Sequence, residues 1–177
     1  LVPRTLGARG WTPFVPLAGV SLGVTARCDG ARFDEDLLFT HRGLSGPAIL
    51  QISSYWDGRA PLTIDLLPDT DVAAWLGARA ASGALLPNAL SELLPRRFAQ
   101  QWCAAEGLAM PLARFDADRR RDIAQRLHAW QVLPSGTLGY NKAEVTLGGV
   151  DTRGLSSKTM AALAVPGLFF VGEVMDV

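Results

Sequence analysis

Hydrophobic and polar positions divide the chain into three stretches of different rhythm. In the first, Val20, Leu22 and Val24 alternate with Ser21, Gly23 and Thr25, the period-two pattern of a half-buried strand. Cys28-Asp-Gly-Ala31 reads as a hairpin turn, with Arg32 to Phe39 as the returning strand. Ile49, Leu50, Ile52 and Tyr55 then follow helical spacing, with Ser45 as the expected N-cap and Pro47 in the first turn. Leu62, Ile64 and Leu66, alternating with Thr63 and Asp65, predict another strand over Pro61 to Leu67, closed by Pro68.

The second stretch, Thr70 to Trp130, is rich in Ala, Leu, Arg and Gln and broken at Gly83, Pro87 and Gly107 to Pro111, which predicts three or four short helices. The clearest is Asp116 to Trp130, with Ile123, Leu127 and Trp130 on one face and Arg119, Arg120, Arg121 and Arg126 toward solvent. Trp75, Trp102 and Trp130 read as core of these helices. Strand signals resume with Val132 and Leu133, a turn at Pro134-Ser-Gly136, and Ala143 to Leu147. Helices bracketed by strands predict an α+β protein in which a helical segment is inserted into a β domain.

Composition narrows the partners. Of 177 residues, 49% are hydrophobic, and 17 Lys and Arg balance 17 Asp and Glu, so the expectation is a globular chain with no nucleic-acid and no membrane partner. Cys28 and Cys103 stand far apart without metal-ligand spacing, which predicts unpaired thiols, no metal site and a reducing, cytoplasmic location. A start at Leu1 and an end just after the apolar run Leu168-Phe-Phe-Val171 read as a chain excised from a longer one.

Three segments offer chemistry. In Thr40-His-Arg-Gly-Leu-Ser-Gly-Pro47, Thr40, His41, Ser45 and Gly46 are substrate-side candidates, since glycines beside a helix start let N–H groups face an anion or carbonyl. A plain strand-to-helix turn explains the same residues, and His41 and Ser45 have no visible acid partner. In Asn141 to Asp151, the pair Gly148-Gly149 admits a flat ligand or another backbone, or makes a bulge, while Lys142 and Glu144 read as a solvated pair. In Val165 to Val177, an apolar strand ending at Gly172-Glu173 has the form of a buried parallel strand with a carboxylate at its edge.

Taken in order, LVP near the start, LLFTHRGLSGPAILQIS, LTIDLLPD, NKAEVTLGGVDT and VPGLFFVGEVMDV resemble a bacterial flavoprotein family that includes aminoacetone oxidase-like, NAD(P)/FAD-dependent oxidoreductases. The resemblance implies a Rossmann-like FAD domain outside this chain, a β-barrel-like domain over residues 1–68 and 131–152, and a small helical bundle over 69–130. Residues 153–177 would return to the FAD domain. It also implies FAD contacts at Gly148, Gly149, Val150, Gly172 and Glu173, NAD(P)H as a reductant, and a small-molecule substrate. The chain would then be a substrate-side insert of an FAD-dependent oxidoreductase, lining the flavin pocket and inactive alone. The alternative is a non-enzymatic barrel module acting through protein contacts.

Overall fold

The structure, a computed structural model, describes residues 4–7, 11–139, 148–172 and 174–175. Its framework is an antiparallel sheet of seven strands: β1 (Arg4–Leu6), β2 (Ser21–Cys28), β3 (Ala31–Thr40), β4 (Gly43–Ser45), β5 (Leu62–Asp65), β6 (Trp130–Val132) and β7 (Pro134–Thr137), in spatial order β6-β5-β2-β3-β4-β1-β7. The β2–β3 hairpin runs from Ser21↔Leu38 to Cys28↔Ala31 around a two-residue turn. Asp29 and Gly30 take positive φ there, at 47° and 80°, as a tight hairpin matched to strand twist demands.

The sheet's two edges are successive pieces of chain. β6 pairs with β5, β7 pairs with β1, and only Leu133 separates them. Pro134, expected in a turn, instead opens β7, where it lacks an N–H to donate and its register with Leu6 is shifted. The ladder therefore stays open at this seam, so the α+β class stands while the β part is an open sheet rather than a closed barrel.

The helices are α1 (Pro47–Ile52), α2 (Val72–Ala78), α3 (Leu86–Leu90), α4 (Arg96–Ala105) and α5 (Ala117–His128). Four of them lie between β5 and β6. α4 turns Phe98, Ala99, Trp102 and Cys103 inward, a single apolar stripe, and packs on α3, while α5 packs on α2. Asp116 caps α5 by accepting from Arg119 N at 2.7 Å. The arginines of α5 are largely occupied: Arg119 pairs with Asp122, Arg121 with Asp118, and Arg126 with Asp122 and Glu106. Trp130, expected on this helix, belongs to β6, because the helix ends at His128 and Ala129 departs from helical geometry.

One apolar cluster joins the sheet's inner face to the helices. Leu22, Val24, Leu37, Phe39, Ile64, Leu76, Phe98 and Trp102 are all buried. Phe39 is its junction, stacked on Trp11 at 5.6 Å and on Trp130 at 6.1 Å, and tilted against Phe98 at 5.5 Å. Among the described residues no helix is long and apolar enough to cross a membrane.

The described residues of the segment 148–175 are different. They hold one 3-10 turn, Thr152–Gly154, and isolated bridges, and none of them is buried. The run expected as a buried parallel strand is exposed, with Phe169 59% and Val171 70% accessible, because no described strand flanks it on either side.

Candidate functional site

Thr40 ends β3, and His41 and Arg42 form the exposed tip of the turn into β4. The Thr40 hydroxyl donates to Gly43 O at 2.9 Å and accepts from Arg42 N at 3.3 Å, which holds the tip in shape. Gly43 lets β4 lie against β1, since a Cβ there would collide with the Arg4 carbonyl. Ser45 is the last residue of β4 and not a cap. The N-cap is Gly46, at φ 89°, where a Cβ would stand 2.7 Å from Asp36 O and 2.8 Å from Leu38 N. The sequence signal for a cap was read one residue early, because a hydroxyl and a glycine mark helix starts equally well. α1 has six residues and its first turn carries no acidic side chain.

The tip is fastened to a cleft at the open seam. Trp11 Nε1 donates to Thr40 O at 3.2 Å, and Leu6 N donates to Arg42 O at 3.1 Å. Leu6 and Trp11 line a cleft of about 300 Å³ together with Gly7, Phe14, Trp130, Gln131, Val132 and Leu133. Phe14 comes from the 3-10 turn Thr12–Leu17 and meets Trp130 edge-on at 5.5 Å. Trp11 and Phe14 are buried and form the floor; Leu6 and Trp130 are half-buried, and Leu133 is 58% exposed at the rim. Sequence periodicity missed this cleft because it placed Trp130 on a helix and Pro134 in a turn. The signal available was Pro134 itself, a residue that confines a strand to an edge.

A larger groove of about 690 Å³ runs between β2, β3 and the segments 66–70 and 93–95. Asp34, Glu35, Asp36 and Asp69 line it, with no cationic residue. Hydrogen bonds from Arg32, then from Thr25, hold the Asp34 carboxyl below the usual carboxylate range. Such a groove repels phosphate.

The structure brings two sequence-predicted segments together: Val150 N donates to Val174 O at 2.9 Å and Val150 bridges Met175, beside Gly172. Gly148 and Gly172 have positive φ, 81° and 77°, with open space where a Cβ would lie. Gly149 is exposed and Val150 half-buried. Glu173, Lys142 and Glu144 lie outside the described residues.

Charged and nucleophilic groups elsewhere form no catalytic set among the described residues. His128 Nδ1 lies 2.9 Å from Asp65 Oδ1, joining the end of α5 to β5. Arg4 is buried, donates to Ser53 O and lies 4.5 Å over the Trp56 ring, and desolvation lowers its pKa. Cys28 and Cys103 are buried and unpaired, and burial pushes the Cys103 thiol up to about 12, far from a reactive thiolate. No group of three or more His, Cys, Asp and Glu among the described residues could hold a metal ion.

An open antiparallel sheet carrying a helical insertion, with an aromatic cleft at its seam, defines an α+β module of sheet and helices. More particularly, the chain belongs to the family described as HI0933-like protein barrel and H2TH domain, whose model matches residues 5–145. It is 45% identical over 181 residues to the ribosomal RNA dihydrouridine synthase of Escherichia coli (strain K12), an alignment covering 100% of this chain and 45% of that protein. It is 44% identical over 167 residues to the ribosomal RNA dihydrouridine synthase of Haemophilus influenzae (strain ATCC 51907 / DSM 11121 / KW20 / Rd), covering 91% of this chain and 41% of that protein. The chain thus spans less than half the length of these curated relatives.

These matches correct four expectations. The resemblance to aminoacetone oxidase-like flavoproteins gives way to the HI0933-like family. Neither the substrate-side insert of an oxidoreductase acting on a small molecule nor the non-enzymatic barrel module agrees with relatives named for acting on ribosomal RNA. The exclusion of nucleic acid falls with them. Its physical weakness is that a zero net charge averages over the whole chain, whereas phosphate senses only the local field within about a Debye length of roughly 10 Å.

Proposed function

We propose that the intact polypeptide reduces uridine in ribosomal RNA to dihydrouridine, and that this chain supplies its sheet-and-helix part. The observation that carries the reading is an alignment running the whole length of the chain at 45% identity to a protein named for that reaction. Two electrons and two protons add across the C5–C6 double bond of uracil, so a two-electron reductant is oxidised in step. A reduced flavin, FAD in this reading with NAD(P)H as its own reductant, supplies the hydride when bound. Gly148, Gly149, Val150, Gly172 and Glu173 are the residues that would lie against it. The open backbone at Gly148 and Gly172 fits the approach of a flat ring, whereas phosphates would need a site beyond these residues. Thr40, His41, Ser45 and Gly46 remain the substrate-side candidates.

We keep the division into a sheet part over 1–68 and 131–152, a helical part over 69–130 and a segment over 153–177 that leads toward the cofactor-binding part. On this reading the protein acts in the cytoplasm. The test is to delete the gene for the intact polypeptide, digest ribosomal RNA to nucleosides and measure dihydrouridine by mass spectrometry. The expected outcome is loss of dihydrouridine from ribosomal RNA and its return on complementation; unchanged dihydrouridine sinks the reading.

A further inference from the structure

We infer that the seam cleft binds an unpaired pyrimidine nucleotide of RNA, with the base against Trp130 and Leu133 and the flanking phosphates held by Arg42 and Arg97. This deepens the reading of the protein as an enzyme of ribosomal RNA. The first support is shape. About 300 Å³ lies at the low end of ligand pockets, room for one nucleoside and too little for a base pair.

The second support is chemistry. Trp130 and Leu133 are the accessible wall, over a floor of Trp11 and Phe14 whose ring contacts with Phe39 fix its orientation. A half-buried indole set by its neighbours is a stacking platform that needs no ordering when a base arrives. Trp130 is positioned by Phe14 and Phe39, and Gln131, which also lines the cleft, donates from Nε2 to Thr63 Oγ1 at 2.9 Å.

The third support is charge. None of the residues lining the cleft is acidic. Arg42 and His41 ride on the turn bonded to Leu6 and Trp11, and Arg97 donates to Pro16 O in the turn that carries Phe14. Arg42 is exposed and its guanidinium has no partner among the described residues. Cations carried on the turns next to an aromatic slot match a single strand, whose phosphates bracket each base. The acidic groove beyond β2 and β3 turns RNA away from that side and leaves the seam as the approach.

The test uses the intact protein with oligouridylate as the probe, including a version carrying one 4-thiouridine for photo-crosslinking. The crosslink is expected on the peptide containing Trp130 to Leu133. Leu133→Asp, at an exposed rim position, removes an apolar contact and sets a carboxylate beside the strand, and should weaken oligouridylate binding by about 5- to 100-fold with an unchanged melting temperature. Arg42→Glu and Arg97→Glu should each lower the slope of log affinity against log salt by about 0.7. Crosslinks elsewhere together with unchanged affinity in Leu133→Asp overturn the inference. If ribosomal RNA dihydrouridine depends on the protein while those binding results are negative, the cleft is wrong and the enzymatic reading stands. If the binding results are positive while dihydrouridine is independent of the protein, the cleft stands and the enzymatic reading falls.

Discussion

The body of the molecule and the segment 148–175 carry similar runs of apolar residues and meet opposite fates. In the body, Leu37 of β3 faces Leu22 of β2 and Phe39 bonds to Val20, the helix stripe of Phe98 and Trp102 belongs to the same core, and all are buried. In the segment, Leu163, Phe169 and Val171 are exposed although the text around them is as apolar as any strand. The difference shows that an apolar pattern makes a core only where a second patterned surface faces it. A run with no facing surface among the described residues keeps its sequence character and loses the burial.

That contrast can be attacked at graded strength. The largest effect is expected from Phe39→Ala, at the junction of four aromatic contacts, which should cost about 3–5 kcal/mol in denaturant unfolding. A loss under about 1 kcal/mol would mean that the body is far more loosely packed than its burial indicates. Gly46→Ala comes next. A positive φ and two backbone atoms in the way should together cost about 1–3 kcal/mol, and an unchanged melting temperature would remove the packing role given to this glycine.

A smaller loss, about 1 kcal/mol, is expected for Asp116→Ala, because its carboxylate caps α5, with Asp116→Ser restoring most of it. The smallest is Val171→Ser, which should stay within about 0.5 kcal/mol for the body's unfolding transition. If Val171→Ser destabilised the body as strongly as Phe39→Ala, the two regions would share one core and the contrast would collapse.

The hairpin of β2 and β3, the β5 strand and the capped α5 were legible because each is specified locally, by alternation, by a turn that needs positive φ, or by an acid before an apolar stripe. The seam was not. Trp130 continues the spacing of Ile123 and Leu127, so helical periodicity claimed it, and only its pairing with Ile64 across the sheet puts it in a strand. Pro134 looks like a turn residue in isolation and becomes a strand residue because β1 lies beside it at an edge. Of the candidate site, the 40–46 motif was visible from its glycines, but its neighbours Leu6 and Trp11 are distant in sequence and no pattern links them to it.

The sequence by itself determined which stretches alternate, which coil, where the tight turn falls and that both thiols stay unpaired. The tertiary structure alone decided that the two sheet edges come from one stretch of chain, that the ladder stays open there, and that aromatics from two separate segments line the opening. The physical reason is range. Backbone sterics, capping and periodicity act over a few residues and can be read along the chain, whereas stacking and the local electric field depend on which distant residues the fold brings within a few ångströms.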